Sequence, residues 1–227
     1  MLLAKLRKSG VQGVGLIAVT YVYFLIFAQF AFIHRLDALG ISGAHLKPVM
    51  AAMAVGGILL SLLAPRVSFL VSASRRMQLA FCVTGIAAFL TLAPLTVAAA
   101  IAVSFLIGAG LGLLTVTLVT NLRQWTGDRS ALLKVGIGTG IGYLLCNVPS
   151  LFTAPPQIQS ATAGLLCLVG IVIANLTIEP LPEAALSELS HPKSSQTSAP
   201  STIPFVLVVA SFAVTAVGFA WILFLPE

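Results

Sequence analysis

Charge is what this chain has least of: 8% of its 227 residues are Asp, Glu, Lys or Arg, against about a quarter in soluble domains. Water is therefore not its main solvent. Cysteine is nearly absent too. Cys82, Cys146 and Cys167 all fall in apolar stretches and have neither metal-ligand nor disulfide spacing, so they are expected to pack as small apolar groups. No acid and no His set lies inside a long apolar run, which argues against a membrane enzyme built on paired carboxylates, a metal or a Ser-His arrangement. No cofactor is expected.

What is present in quantity is apolar surface, 59% of the residues. Charge-free stretches run over 9–34, 48–65, 77–122, 135–178 and 194–226. A helix needs about 20 apolar residues to cross the hydrocarbon. The third stretch is long enough for two crossings with a turn at Ala93-Pro94-Leu95-Thr96, and the fourth divides at Thr153-Ala154-Pro155-Pro156-Gln157. The expectation is an all-α integral membrane protein of about seven transmembrane helices at 11–33, 48–65, 77–93, 97–120, 135–153, 161–178 and 204–225. A β-barrel would show short alternating strands of about ten residues; these runs are longer, continuous and rich in Leu, Ala and Gly.

The net charge of +6 reflects topology, not nucleic acid. Lys5, Arg7 and Lys8 precede the first span. Arg66, Arg75 and Arg76 join the second and third; Arg123, Arg129 and Lys134 join the fourth and fifth; Lys193 lies between the sixth and seventh. Only Arg35 and Lys47 fall on the other side. The positive-inside rule puts the N-terminus in the cytoplasm and Glu227 outside, in a multi-pass protein of the cell inner membrane. A secretory signal peptide is the competing reading of the N-terminus, but the apolar run exceeds the usual 7–15 residues and no A-x-A site follows it.

Residues 179–203 break the pattern, with Glu179, Glu183, Glu188, His191 and Lys193 among many Ser and Pro residues. They read as a flexible cytoplasmic linker. The organisation is then a six-helix bundle over 1–178, the linker over 179–203 and a seventh helix within 204–227. This order matches the first part of a six-plus-six transporter whose last five helices are missing.

The stretch from Ser104 through Gly108, Gly110 and Gly112, with Ser104 in the place of an arginine, resembles the fourth-helix pattern of the major facilitator superfamily. So do Arg129-Ser130-Ala131, the glycines 136, 138, 140 and 142, and Asn147-Val148-Pro149, which are similar to its fourth loop and fifth helix. The signature between the second and third helices is met only by Gly57, Ala64-Pro65-Arg66 and Ser74-Arg75-Arg76, and its aspartate is absent. The resemblance implies a bundle of 3+3 inverted repeats plus one extra helix, and transport of a small solute by alternating access.

Within lipid, small residues let helices approach closely, and Gly108/Gly112, Gly136/Gly140 and Gly138/Gly142 each form a G-x-x-x-G pair. They predict packing of the fifth helix against neighbours on both sides, static or sliding. Intramembrane polar residues point to a pathway or to a neighbouring backbone. Tyr21, Gln29, Tyr143 and Asn147, with Ser104 as a weaker addition, form the candidate substrate cavity. Tyr23 lies near mid-membrane as well. Thr115, Thr117 and Thr120 are expected to bond within their own helix. His34, Arg35 and Asp37 form a cluster at the outer edge of the first span, either a gate or a solvated loop. Asp128, Arg129 and Arg123 could pair at the cytoplasmic surface, with Trp125 and Trp221 as interfacial anchors.

The functional expectation is a transporter, or half of one, whose partners are the bilayer, a small solute, and a second half-transporter chain or a second copy of itself. The alternative is a non-transporting membrane subunit that anchors a larger complex. A retinal photoreceptor would need a lysine that the seventh span lacks.

Overall fold

Glycine and proline set the ends of the helices. The computed structural model describes residues 10–64, 66, 72–126 and 130–176. The linker, the seventh span, Asp128 and Arg129 lie outside the described residues. The chain divides into two units, Met1–Glu179 and Pro180–Glu227, and everything below belongs to the first.

Among the described residues of this unit there are six long helices: α1 (Val11–Ala38), α2 (Leu46–Leu63), α3 (Ala73–Leu90), α4 (Val97–Thr120), α5 (Ala131–Cys146) and α6 (Pro156–Leu176). No strand occurs among the described residues. Four of the helices, α1, α2, α4 and α6, are long and apolar enough to cross a membrane. This is the make-up of an all-α membrane protein.

α1 closes through a Schellman motif. Ile41 N–H donates to Leu36 O at 2.9 Å and Gly40 N–H to Asp37 O at 2.9 Å, with Gly40 at φ +75, a conformation that glycine adopts without a Cβ clash. The buried Leu36 and Ile41 flank that turn. At the other loop on this side, Thr96 caps α4 by accepting from Ala99 N–H at 3.3 Å.

Two expectations are corrected. α3 begins at Ala73, so Arg75 and Arg76 are helical and precede the apolar part. The fifth span does not reach 153: α5 ends at Cys146, and a one-turn helix, Pro149–Phe152, follows. Pro149 holds Val148 extended, at φ −64 and ψ 118, which no helix can pass through.

α2 packs on α4, α1 on α5, α3 on α6, α3 on α4 and α1 on α6. Exchanging every helix with the one three later returns the same set of pairs. Directions agree with this exchange. Close approaches of Met53 to Gly108 and of Gly57 to Gly112 run in step, so α2 and α4 are parallel. The pairs Val14 with Gly138 and Ala18 with Gly142 make α1 and α5 parallel as well. Ser74 with Ala174 and Phe81 with Gly170 run in opposite order, so α3 and α6 are antiparallel. Burial follows the same exchange: α1 and α4 are the most buried, whereas α2 keeps only Val49 and Gly56 buried and α5 only Gly138, Gly142 and Cys146.

Candidate functional site

Tyr21 and Tyr143 are brought together at the seam of α1 and α5, with ring centroids 6.0 Å apart and planes tilted by 47°. A glycine makes this possible. A methyl on Gly142 would stand 2.7 Å from the Tyr21 Cβ, so only a bare backbone lets α1 come close enough to set the two rings side by side. Tyr21 is half-buried and Tyr143 is half exposed. Among the described residues neither phenol has a hydrogen-bond partner. The pair therefore offers two ring faces and two hydroxyls that can each donate and accept.

The other candidates lie elsewhere. Gln29 is half-buried eight residues further along α1, about two turns up the helix. Asn147 is the residue that closes α5, and its side-chain amide donates to Tyr143 O at 2.8 Å, within its own helix. Ser104 is fully buried on α4 and donates to Val49 O of α2 at 2.6 Å. It thus stitches two helices together, in keeping with a neighbouring-backbone bond.

The glycine pairs separate into two kinds. Gly108 and Gly112 lie against Met53 O and Gly57 O of α2, and a methyl on Gly138 would stand 2.9 Å from Val14 O of α1. Gly136 and Gly140, in contrast, would meet nothing within 4 Å among the described residues. α5 is packed on one face by α1, and its second glycine face meets nothing among the described residues.

A second centre carries no motif in the sequence. Tyr23, fully buried, donates to Thr84 O of α3 at 3.1 Å. The Thr84 hydroxyl bonds to Ala80 O and Phe81 O of its own helix and lies 3.4 Å from Cys167 Sγ of α6. A methyl on Gly110 of α4 would strike the Thr84 methyl. Four helices thus meet around one threonine. The sequence places Tyr23 at mid-membrane and Cys167 as a small packing group, but the residue that links them gives no signal there.

Further differences concern the helix ends. Arg35 donates its Nε to Thr91 O at the end of α3 at 3.3 Å. Trp125, expected as an interfacial anchor, lies inside the bundle. It is buried to 1% exposure, and its backbone fits against Gly13, where a methyl would come within 2.5 Å of its carbonyl oxygen. Thr120 bonds to Val116 O within α4 as expected, at 2.7 Å, while the buried Thr117 hydroxyl has no partner among the described residues. No cluster of His, Cys, Asp and Glu able to hold a metal occurs among the described residues.

Comparison with protein-family models, with curated proteins and with solved structures finds no match for this chain.

Proposed function

We propose that this chain is a membrane transporter, or part of one, moving a small solute by alternating access, with its solute contact at the Tyr21–Tyr143 pair. The observation that carries this reading is the exchange symmetry of the helix pairing. Two three-helix units of opposite direction, each completing the other, are the architecture by which inverted-repeat transporters rock around a midplane site. The resemblance of the α4 and α5 glycine patterns to the major facilitator superfamily supports the same reading on sequence alone. The distribution of basic residues supports a cytoplasmic N-terminus.

The alternative, a non-transporting subunit of a larger complex, is favoured by one observation: Ser104 and Asn147 both bond to backbone carbonyls, which leaves few polar groups to meet a solute.

Proteoliposomes loaded with a mixture of small metabolites, followed by mass spectrometry, separate the two. Transport predicts that at least one solute crosses, and that Tyr143→Ala slows it about tenfold, the loss of roughly 1.4 kcal/mol from one aromatic contact. Ser104→Ala leaves the rate within about twofold, since its bond holds helix to helix. Flux that is absent for every solute, with the chain recovered in a fixed ratio with another protein, supports the subunit reading.

A further inference from the structure

α1 is not a uniform helix. Between an α-helical start at Val11–Val22 and an α-helical end at Phe32–Ala38, residues Tyr23–Ala31 form a π-helix, with Phe32 N–H reaching back five residues to Phe27 O. Such wide turns are rare beyond a single turn and concentrate where a helix has work to do. Nothing in the local sequence requires one. The segment Tyr-Phe-Leu-Ile-Phe-Ala-Gln-Phe-Ala has neither proline nor glycine, the usual causes of an irregular helix.

The cause lies in its neighbour. The two side-chain bonds from α1 to α3 bracket the widened segment: Tyr23 hydroxyl to Thr84 O at 3.1 Å at its start, and Arg35 Nε to Thr91 O at 3.3 Å just beyond its end. Twelve residues separate the donors and seven separate the acceptors. As α-helix these intervals would measure about 18 Å and about 10.5 Å. A wide turn takes up more residues and advances less per residue, so widening shortens α1 between its anchors by a few ångströms, and the reach of the long Tyr23 and Arg35 side chains covers the rest of the difference.

We propose that Tyr23–Ala31 is a two-state hinge, held in its wide form by the Tyr23 and Arg35 anchors and reverting to α-helix when either is released. Each wide turn that closes rotates the rest of the helix by about one residue, roughly 100°. The rotation carries Gln29 and the far end of α1 past the loop between α5 and α6, where Phe30 now stacks edge-on with Phe152 at 5.8 Å. The device is a gate at the end of the bundle that carries the α1–α2, α3–α4 and α5–α6 loops. As a gate for solute it rests on the transport reading; as a hinge it stands alone.

Thiol chemistry tests the hinge without any solute. In full-length protein in lipid nanodiscs, with Cys82, Cys146 and Cys167 replaced by alanine, Ala31→Cys reports the hinge and Ala18→Cys reports the α-helical part of the same helix. Both positions are buried, so a water-soluble maleimide reacts only in proportion to opening. Tyr23→Phe and Arg35→Gln are each expected to raise the rate at position 31 by roughly three- to tenfold, the shift that one interhelical hydrogen bond supports in a membrane, and to leave position 18 unchanged. An unchanged rate at 31, a rise with only one of the two anchors removed, or an equal rise at both positions overturns the hinge. An absence of flux in the metabolite screen would count against transport and leave the hinge untouched.

Discussion

A valine at Gly108 lowers the unfolding free energy of the bundle by about 3 kcal/mol, the upper part of the range for overpacking a tight contact. The reason is where the side chain would go. A Cβ at this position lands on the carbonyl oxygen of Met53, and the same seam holds Gly56 against Phe105 O and Gly112 against Gly57 O. A backbone that meets a backbone has no rotamer to change, so α2 and α4 separate along their whole contact. Apolar side chains gain nothing by leaving lipid for one another, and the lost close packing is not recovered elsewhere. Gly140→Ala provides the contrast: its Cβ meets nothing within 4 Å among the described residues, and alanine favours the helix by up to about 1 kcal/mol. Reversible unfolding in bicelles, read by helical circular dichroism, distinguishes the two. Equal effects at both positions would mean that the glycines act through helix propensity and not through contact.

Phe81→Ala is expected to destabilise the bundle by about 3 kcal/mol, the lower end of the range for a buried phenylalanine, because the transfer part of that range has no counterpart in lipid. Phe81 is fully buried. Its ring lies against Gly170 of α6, where a methyl would come within 2.8 Å of it, and the adjacent Thr84 hydroxyl bonds to its carbonyl. Phe89 makes the same kind of contact with Gly164 further along the seam, yet is 38% exposed. Its replacement by alanine is expected to have less than half the effect, roughly 1 kcal/mol. The same unfolding measurement checks both, and a larger loss at Phe89 than at Phe81 would contradict this packing of α3 on α6.

The glycines show how far the sequence can be read and where it stops being legible. Gly108/Gly112 and Gly138/Gly142 announce themselves by their four-residue spacing, and both pairs lie at helix seams. Gly136/Gly140 has the same spacing and meets nothing among the described residues, because spacing identifies a face but not whether another helix covers it. Gly164 and Gly170 have no such spacing and give no signal; what they receive is an aromatic ring from α3, a partner far away in the chain. The span from Val97 to Thr120 is legible to the residue, since Pro94 and Thr96 mark its start and the polar Asn121 its end. The π-helical segment is not, because nothing within Tyr23–Ala31 marks it, and the carbonyls bonded on either side of it, Thr84 O and Thr91 O, lie on another helix. The candidate cavity divides in the same way. Tyr21 and Tyr143 meet because Gly142 lets them, whereas Ser104 and Asn147, equally polar in the sequence, bond to backbone carbonyls that only the fold brings near.

The topology we propose passes these six helices back and forth through a bilayer, with the loops at Ser42, Thr96 and Thr153 on one side and the chain at Ser72 and Gln124 on the other. Single cysteines at these five positions in an otherwise cysteine-free chain, exposed in intact cells to a maleimide that cannot cross membranes, test it most directly. Labelling at 42, 96 and 153 in intact cells, and at 72 and 124 only after the membrane is permeabilised, is the predicted result. Labelling of 72 or 124 in intact cells, or protection of any of the other three, would contradict it.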